Sequence, residues 1–134
     1  MNFSTDLSVS KSSTHDEYWV WTDSVRGFDK VLKSNEDDQE SSGTAITNVS
    51  ATGFTATNNW FTTGRTYSTF NWEAGTSTVT NNDGSIASQV RAQPSAGFSI
   101  CTYTGNGTGG ASIGHGLNAA VEFLIVKDLS LIHI

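Results

Sequence analysis

The run of residues 98–127, FSICTYTGNGTGGASIGHGLNAAVEFLIVK, constrains the fold more than any other part of the 134-residue chain. It fits a nucleotide-binding strand, loop and helix, and it also fits β-strands joined by glycine-rich turns. The first interpretation would make the protein an enzyme built on a parallel sheet. The second would make it an antiparallel β-protein with a structural or adhesive role.

The nucleotide-binding interpretation rests on a G-x-G-x-x-G motif and on Asp128, about 20 residues further on. The three glycines of the motif are Gly105, Gly107 and Gly110. The required helix would span residues 111–120, where Gly114 and Gly116 each cost about 1 kcal/mol relative to alanine. The first strand would also have to be continuously apolar, whereas residues 98–104 mix apolar and hydroxyl side chains. We therefore expect no nucleotide and no other cofactor.

The β interpretation accounts for the same residues. Asn-Gly is a strong signal for a type I′ hairpin turn, and a second turn is predicted around the histidine between two glycines. Residues 121–127 then form a strand that alternates apolar side chains on both faces, so we expect it to be central and covered. The residues assigned to turns are Asn106, Gly107, Gly114, His115, Gly116, Asp83 and Gly84.

Composition supports an all-β fold, because Thr, Ser, Asn and Gly are abundant and favour strands and turns. The chain is long enough for one hydrophobic core. We predict an antiparallel β-sandwich of jelly-roll or lectin-like type. The sequence does not decide between helix and strand for residues 24–34. Val25, Phe28 and Leu32 have helical spacing, while residues 29–33 also fit a short strand. The predicted strands cover residues 18–22, 44–49, 53–57, 67–72, 86–92 and 98–104.

The domain organisation is predicted from local composition. Residues 1–14 are polar and serine-rich, which indicates a mobile arm. Residues 15–128 are predicted to form a single β-sandwich module. The last six residues, 129–134, resemble the translation of a sequencing adapter, so we predict that they are a non-native tail.

Charge and hydropathy exclude several classes of partner. The net charge is −6 and the seven basic residues are not clustered, so we expect no nucleic acid. No apolar stretch reaches the roughly 20 residues of a membrane span. The first 13 residues lack the basic and apolar regions of a signal peptide, which predicts synthesis in the cytoplasm. Cys101 is expected to act as a small apolar side chain.

Catalytic and metal-binding chemistry finds little support. The three histidines, His15, His115 and His133, lie far apart and without carboxylates or cysteines at ligand spacing. We predict no catalytic residue and no metal site. A carboxylate pair made of Glu73 with Asp83 or Glu122 stays open as the basis of a glycosidase. The acidic run 35–43 lacks the spacing of a calcium loop and is predicted to be solvated.

One loop carries candidate ligand-binding residues. Asn58, Asn59, Trp60 and Phe61 lie between the predicted hairpin and the strand at residues 67–72. Large aromatic side chains in a loop can stack on a sugar ring, or they can cover the open end of a core. Both interpretations remain open at this stage.

The order of several short motifs resembles a repeat domain of virion proteins, tail-fibre or other tail-associated proteins, of marine tailed bacteriophages. Residues 15–75 are similar to the closing half of one repeat unit and residues 96–128 to the opening half of the next. The matching segments are residues 84–90, 96–100, 103–108, 114–117 and 123–127, and in the front half residues 19–27, 53–54 and 67–75. In that family a glycine and a proline stand where this chain has Asn118 and Val121. Asparagine tolerates left-handed backbone, so we expect this turn to survive.

The resemblance implies a non-enzymatic structural or adhesive module in the virion tail. It divides the module into residues 15–75, a junction at 76–95, and residues 96–128. The implied partners are other virion proteins or copies of the same chain, with host-surface glycan as a ligand of exposed aromatic residues. The alternatives are a glycan-cleaving tail enzyme that uses a carboxylate pair and a nicotinamide-dependent oxidoreductase.

Overall fold

The computed structural model describes residues 3–130, which form ten β-strands and one turn of 3₁₀ helix. These residues cluster into two compact units. Unit 1 comprises the described chain up to Trp72 and the stretch from Ile125 onward, and unit 2 is Glu73–Leu124. The division after Trp72 lies close to the predicted half-repeat boundary at residue 75.

Unit 1 contains seven strands in two antiparallel sheets. The strands are β1 Leu7–Ser12, β2 Val20–Asp23, β3 Gly27–Lys33, β4 Ser41–Ser42, β5 Ile46–Ser50, β6 Gly53–Ala56 and β7 Tyr67–Trp72. Five of them form one sheet in the order β4-β3-β2-β1-β7, and β5 pairs with β6 as the predicted hairpin. The predicted strand at residues 67–72 is confirmed as β7.

The mobile arm predicted over residues 1–14 is wrong, because β1 is an interior strand of the five-stranded sheet. It pairs with β2 on one side and with β7 on the other. Val9 points to one face and is 3% exposed, while Ser8 and Ser10 point to the other face and are 1% exposed. Serine is poor in apolar surface but small enough for a covered sheet face, and the Ser10 hydroxyl hydrogen-bonds to the Thr69 hydroxyl on β7. Residues 1 and 2 of this arm lie outside the described residues.

The segment at residues 24–34, which local spacing left open, is a strand. Asp23 could have capped a helix, but its Oδ1 accepts the N–H groups of Val25 and Arg26, both at 2.9 Å, and thereby closes a turn. Gly27 follows with φ of 97°, a conformation that favours glycine, and begins β3. Pairing with β2 and β4 therefore outweighs the helical spacing of the apolar residues.

The core of unit 1 lies between one face of the five-stranded sheet and the β5–β6 hairpin. Val20 on β2 and Val31 on β3 contact Ala45 and Ile46, and all four are less than 5% exposed. Burial of each large aliphatic side chain contributes about 1.5–3 kcal/mol. Partly buried residues extend this cluster: Phe28, Val49, Phe54, Trp60 and Phe61. The hairpin is thus a second layer on the sheet.

Unit 2 contains one three-stranded antiparallel sheet. Its strands are β8 Val79–Asn81, β9 Ser88–Gln93 and β10 Phe98–Tyr103, in the order β10-β9-β8. Pro94 ends β9 as predicted and opens the 3₁₀ turn Pro94–Ala96. Gly97, with φ of 67°, then leads into β10.

Residues 111–120, after β10, form no helix, so the strand, loop and helix required by the nucleotide-binding interpretation are not present there. Ile113 instead bridges to Ile86, and the Ser88 hydroxyl donates to the Gly114 carbonyl at 2.9 Å. The hairpin predicted at Asn106 and Gly107 does not form either. Only Gly107 has a positive φ, 71°, whereas a type I′ turn needs positive φ at both residues.

The strand predicted over residues 121–127 is also wrong. No strand of the described chain pairs with this segment. Phe123 is 81% exposed and Leu124, Ile125 and Val126 are 72%, 58% and 66% exposed. A strand needs hydrogen bonds to the N–H and C=O groups of a neighbouring strand. Local alternation of apolar residues is therefore not sufficient to make this segment a strand.

The predicted fold class is confirmed: the described chain is all-β and sandwich-like, with three antiparallel sheets and no α-helix. Of the predicted non-native tail, only residues 129 and 130 are described. The Leu129 carbonyl accepts the Glu40 N–H at 3.0 Å. Residues 131–134, His133 among them, lie outside the described residues.

Candidate functional site

A cleft with a volume of about 560 Å³ opens in unit 1. We call it the Tyr18 cleft; residues 16–18, 20, 35–36, 59–60, 62 and 65 contribute to its lining. These residues lie before β2 and at its first residue, after β3, and in the loop between β6 and β7. The volume falls within the range of small-molecule binding sites, roughly 300–1,000 Å³.

Strand pairing brings the first two segments together. Val20 on β2 pairs with Lys33 on β3, so the chain before β2 runs beside the chain after β3. The Asn35 side-chain carbonyl accepts the Trp19 N–H at 2.9 Å and continues this contact beyond the ladder. One wall of the cleft is therefore an extension of the β2–β3 pair.

The third segment is held by a network of contacts around Glu17. The Glu17 carboxylate forms an ion pair with the Arg65 guanidinium and accepts the Tyr67 hydroxyl at 2.8 Å. The Tyr67 hydroxyl oxygen in turn accepts the Thr62 N–H at 2.9 Å. Glu17 and Arg65 are 20% and 29% exposed, so the pair is partly shielded from water. This network fixes the loop between β6 and β7 against the chain before β2.

Two aromatic residues line the cleft, and they differ in how tightly their rings are held by the protein. The Trp60 indole N–H donates to the Gly43 carbonyl at 2.7 Å, and its ring packs against the core cluster. Tyr18 is 44% exposed, and the Lys33 ammonium lies 4.3 Å from its ring centroid. Tyr18 is thus the aromatic ring that the cleft offers to a ligand, while Trp60 forms a fixed wall.

The structure separates the four predicted ligand-binding residues. Asn59 and Trp60 line the cleft, whereas Asn58 and Phe61 do not. Phe61 packs against the core and meets the Tyr67 ring edge to face, with centroids 5.2 Å apart. The two interpretations of the loop therefore apply to different residues: Phe61 covers the core, and Trp60 both covers the core and borders the cleft.

The sequence prediction missed most of the cleft. Tyr18 was assigned only to a strand, and Glu17, Asn35 and Arg65 were not singled out. Glu17 and Arg65 lie 48 positions apart in the sequence, and no local motif joins the residues of the cleft. The pairing of β2 with β3 is the signal that would have placed Tyr18 beside Asn35.

A second aromatic surface lies on β7, at the edge of the five-stranded sheet. Phe70 is 51% exposed and Trp72 is 40% exposed, and their rings stack with centroids 6.5 Å apart. This surface is the natural comparison site for any test of the cleft.

The predicted turn residues of unit 2 have specific structural roles. Asn81 Oδ1 accepts the Asp83 N–H at 2.8 Å, and a Cβ atom on Gly84 would overlap the backbone of Ser112 and Ile113. Glycine is therefore required where this turn meets the later segment. Asn106 Oδ1 accepts the Thr108 N–H at 3.0 Å, so it forms a local side-chain turn rather than a hairpin.

The turn around His115 agrees with its prediction. His115 Nδ1 accepts the Leu117 N–H at 3.2 Å, and Gly116 has φ of 72°. Gly114 leaves space for the Asn81 side chain, which a Cβ atom would overlap. Asn118 has φ of 58°, so the left-handed turn expected at this asparagine is present.

Cys101 lies on β10 and is half-buried. Desolvation raises the pKa of its thiol, and the hydrogen bond from Ser99 opposes this effect only in part. Because the thiolate is the reactive form, a raised pKa disfavours nucleophilic chemistry at neutral pH.

Residues 3–130 hold no group of three or more His, Cys, Asp or Glu side chains arranged to bind a metal ion. Within the same residues, every helix is too short or too polar to cross a membrane.

The chain matches a known protein family. A family model described as a domain of unknown function (DUF7483) matches residues 1–133. No curated protein and no solved structure matches the chain.

Proposed function

The chain belongs to the family of the domain of unknown function DUF7483, and we propose that it is a non-enzymatic β-sandwich module of a phage tail-associated virion protein. The motif order shared with repeat domains of marine phage tail proteins supports this location. The all-β fold is compatible with a structural or adhesive role. Its partners in this role are other virion proteins or copies of the same chain.

The location has a direct test. Tryptic peptides of this chain are expected in density-gradient-purified phage particles, at a constant ratio to a known tail protein across the particle peak. The measurement is quantitative mass spectrometry of successive fractions. Peptides that remain in the soluble fraction of the lysate and do not follow the particle peak would rule out a virion module.

We further propose that the Tyr18 cleft binds host-surface glycan. The observation that carries this proposal is an exposed tyrosine ring beside amide and carboxylate groups, held by the Glu17–Arg65 ion pair. A tyrosine ring covers the apolar face of a sugar, and neighbouring oxygen and nitrogen atoms can bond its hydroxyls. Fixed walls reduce the entropy cost of ordering the site on binding.

Substitution Tyr18→Ala is expected to weaken glycan binding by about tenfold or more, because truncation of a hot-spot tyrosine costs about 2 kcal/mol or more and about 1.4 kcal/mol corresponds to tenfold in affinity. Immobilised host-surface polysaccharides would identify a bound glycan, and isothermal titration calorimetry would measure its affinity. Phe70→Ala is the matched control, since it removes a comparably exposed ring outside the cleft. This variant is expected to bind as the unchanged chain does.

Three outcomes would contradict the proposal. Absence of binding to every host polysaccharide would remove the glycan-binding function. Loss of binding in Phe70→Ala but not in Tyr18→Ala would move the site to the aromatic surface of β7. Release of reducing ends during incubation would make the protein a glycan-cleaving enzyme. Circular dichroism of each variant checks that the fold is retained.

A further inference from the structure

The charged side chains that line the Tyr18 cleft carry an excess of negative charge. Three are carboxylates, Asp16, Glu17 and Glu36, and one is a guanidinium, Arg65. Asp16 and Glu36 are both exposed, so their charges are presented to the solvent and to any ligand. A ligand that enters the cleft therefore meets two exposed carboxylates that can accept its hydrogen bonds.

The single guanidinium is already engaged. Arg65 forms an ion pair with Glu17, whose carboxylate also accepts the Tyr67 hydroxyl. The nearby Lys33 ammonium forms an ion pair with Asp38 and lies over the Tyr18 ring. An anionic ligand would have to displace one of these contacts to gain a cation partner.

The remaining carboxylates suit a polyhydroxylated, uncharged ligand. A sugar hydroxyl donates to a carboxylate in a charge-assisted hydrogen bond, which is roughly twice as strong as a bond between neutral groups. A uronate, sialate or sulfate group at the same place would be repelled, since like charges a few ångströms apart are unfavourable even in water.

We propose that the Tyr18 cleft selects uncharged hexose and N-acetylhexosamine chains and discriminates against acidic glycans. This inference rests on the proposed glycan-binding function and adds the chemical class of the ligand. Asp16 and Glu36 are the residues that determine the discrimination, and Glu17 takes no part because Arg65 neutralises it.

The test compares pairs of oligosaccharides that differ only in whether their sugar units carry a carboxylate. Oligomers of mannose, galactose and glucose would be compared with the corresponding oligomannuronate, oligogalacturonate and oligoglucuronate, with N-acetylglucosamine oligomers as a further uncharged probe. At low ionic strength the uncharged member of a bound pair is expected to bind at least about fivefold more tightly. The ratio of the two affinities, uncharged over acidic, is expected to fall as salt is added, because screening shortens the range of the repulsion.

The double substitution Asp16→Asn with Glu36→Gln is expected to reduce that ratio toward one. Asp37→Asn is the matched control, since Asp37 is an exposed acid of the same loop that does not line the cleft. This control is expected to lower the ratio much less than the double substitution does, because Asp37 acts on the ligand only at longer range.

The outcomes separate this inference from the function on which it rests. If acidic and uncharged members bind equally and Tyr18→Ala weakens both, the inference is overturned and glycan binding stands. A preference for uncharged glycans that the double substitution leaves intact also overturns the inference. If no oligosaccharide or host polysaccharide binds, the glycan-binding function and this inference fail together.

Discussion

A chain that lacks residues 1–14 is expected to lose the cooperative unfolding transition of unit 1. The deletion removes β1, which pairs with β2 over residues 7–10 and with β7 over residues 7–12. Both neighbours would then present unpaired backbone groups, and the buried Val9 would be lost from the sheet. The free energy lost with an interior strand is expected to exceed the free energy of unfolding of a typical domain, about 5–15 kcal/mol. Thermal melting by circular dichroism and amide hydrogen exchange at β2 and β7 would measure the effect.

A shorter deletion serves as the control. Removal of residues 1–3 leaves β1 intact, and Phe3 is 39% exposed. Surface changes of this kind usually alter stability by no more than about 0.5 kcal/mol, so the melting curve is expected to stay in place. If the chain without residues 1–14 melts as the full chain does and keeps the protection of β2 and β7, the interpretation of these residues as a mobile arm is right.

The strands that could be predicted are those whose sequence shows both alternation and large side chains. β7 combines Tyr67, Phe70 and Trp72 in one short run, and the β5–β6 hairpin is bounded by turn residues. β1 escaped prediction because three of its six residues are serines, which are typical of loops. Its place in the sheet is decided by pairing with β7, about 60 residues away. No local pattern contains that information.

Residues 121–127 show the opposite error. Their apolar alternation is stronger than that of β1, yet they form no strand in the described chain. A strand is stable only when a neighbouring strand accepts its backbone hydrogen bonds. Local pattern therefore predicts which segments can be strands, and the availability of partners decides which of them are.

Only the part of the candidate site that comes from the loop between β6 and β7 could be predicted from the sequence. Asn59 and Trp60 stood out because an aromatic residue in a polar loop is unusual, and both line the cleft. Tyr18, Glu17 and Arg65 become neighbours only after β2 pairs with β3 and the loop before β7 folds back. Their selection requires the three-dimensional arrangement, because each residue alone is typical of a strand end or a surface loop.

The second large effect is expected from Arg26→Met. The Arg26 guanidinium donates from Nε to the Asp23 carboxylate at 2.5 Å and from Nη1 to the Glu40 carboxylate at 2.8 Å. The side chains of Arg26 and Asp23 are 7% and 5% exposed. Removal of one partner leaves the other charge buried without compensation, which costs about 3–5 kcal/mol. Urea denaturation would show the loss as a lower midpoint with an unchanged slope.

Two further variants identify the cause of this loss. Asp23→Asn combined with Arg26→Met removes the uncompensated charge but keeps a side-chain oxygen for the N–H groups of Val25 and residue 26. The double variant is expected to be more stable than Arg26→Met alone, because the two substitutions act on one ion pair. Lys30→Met removes a cation whose contact with Ser42 is exposed, and it is expected to cost less than about 1 kcal/mol. A loss below that limit in Arg26→Met, or equal stability of the single and double variants, would show that the buried ion pair does not stabilise unit 1.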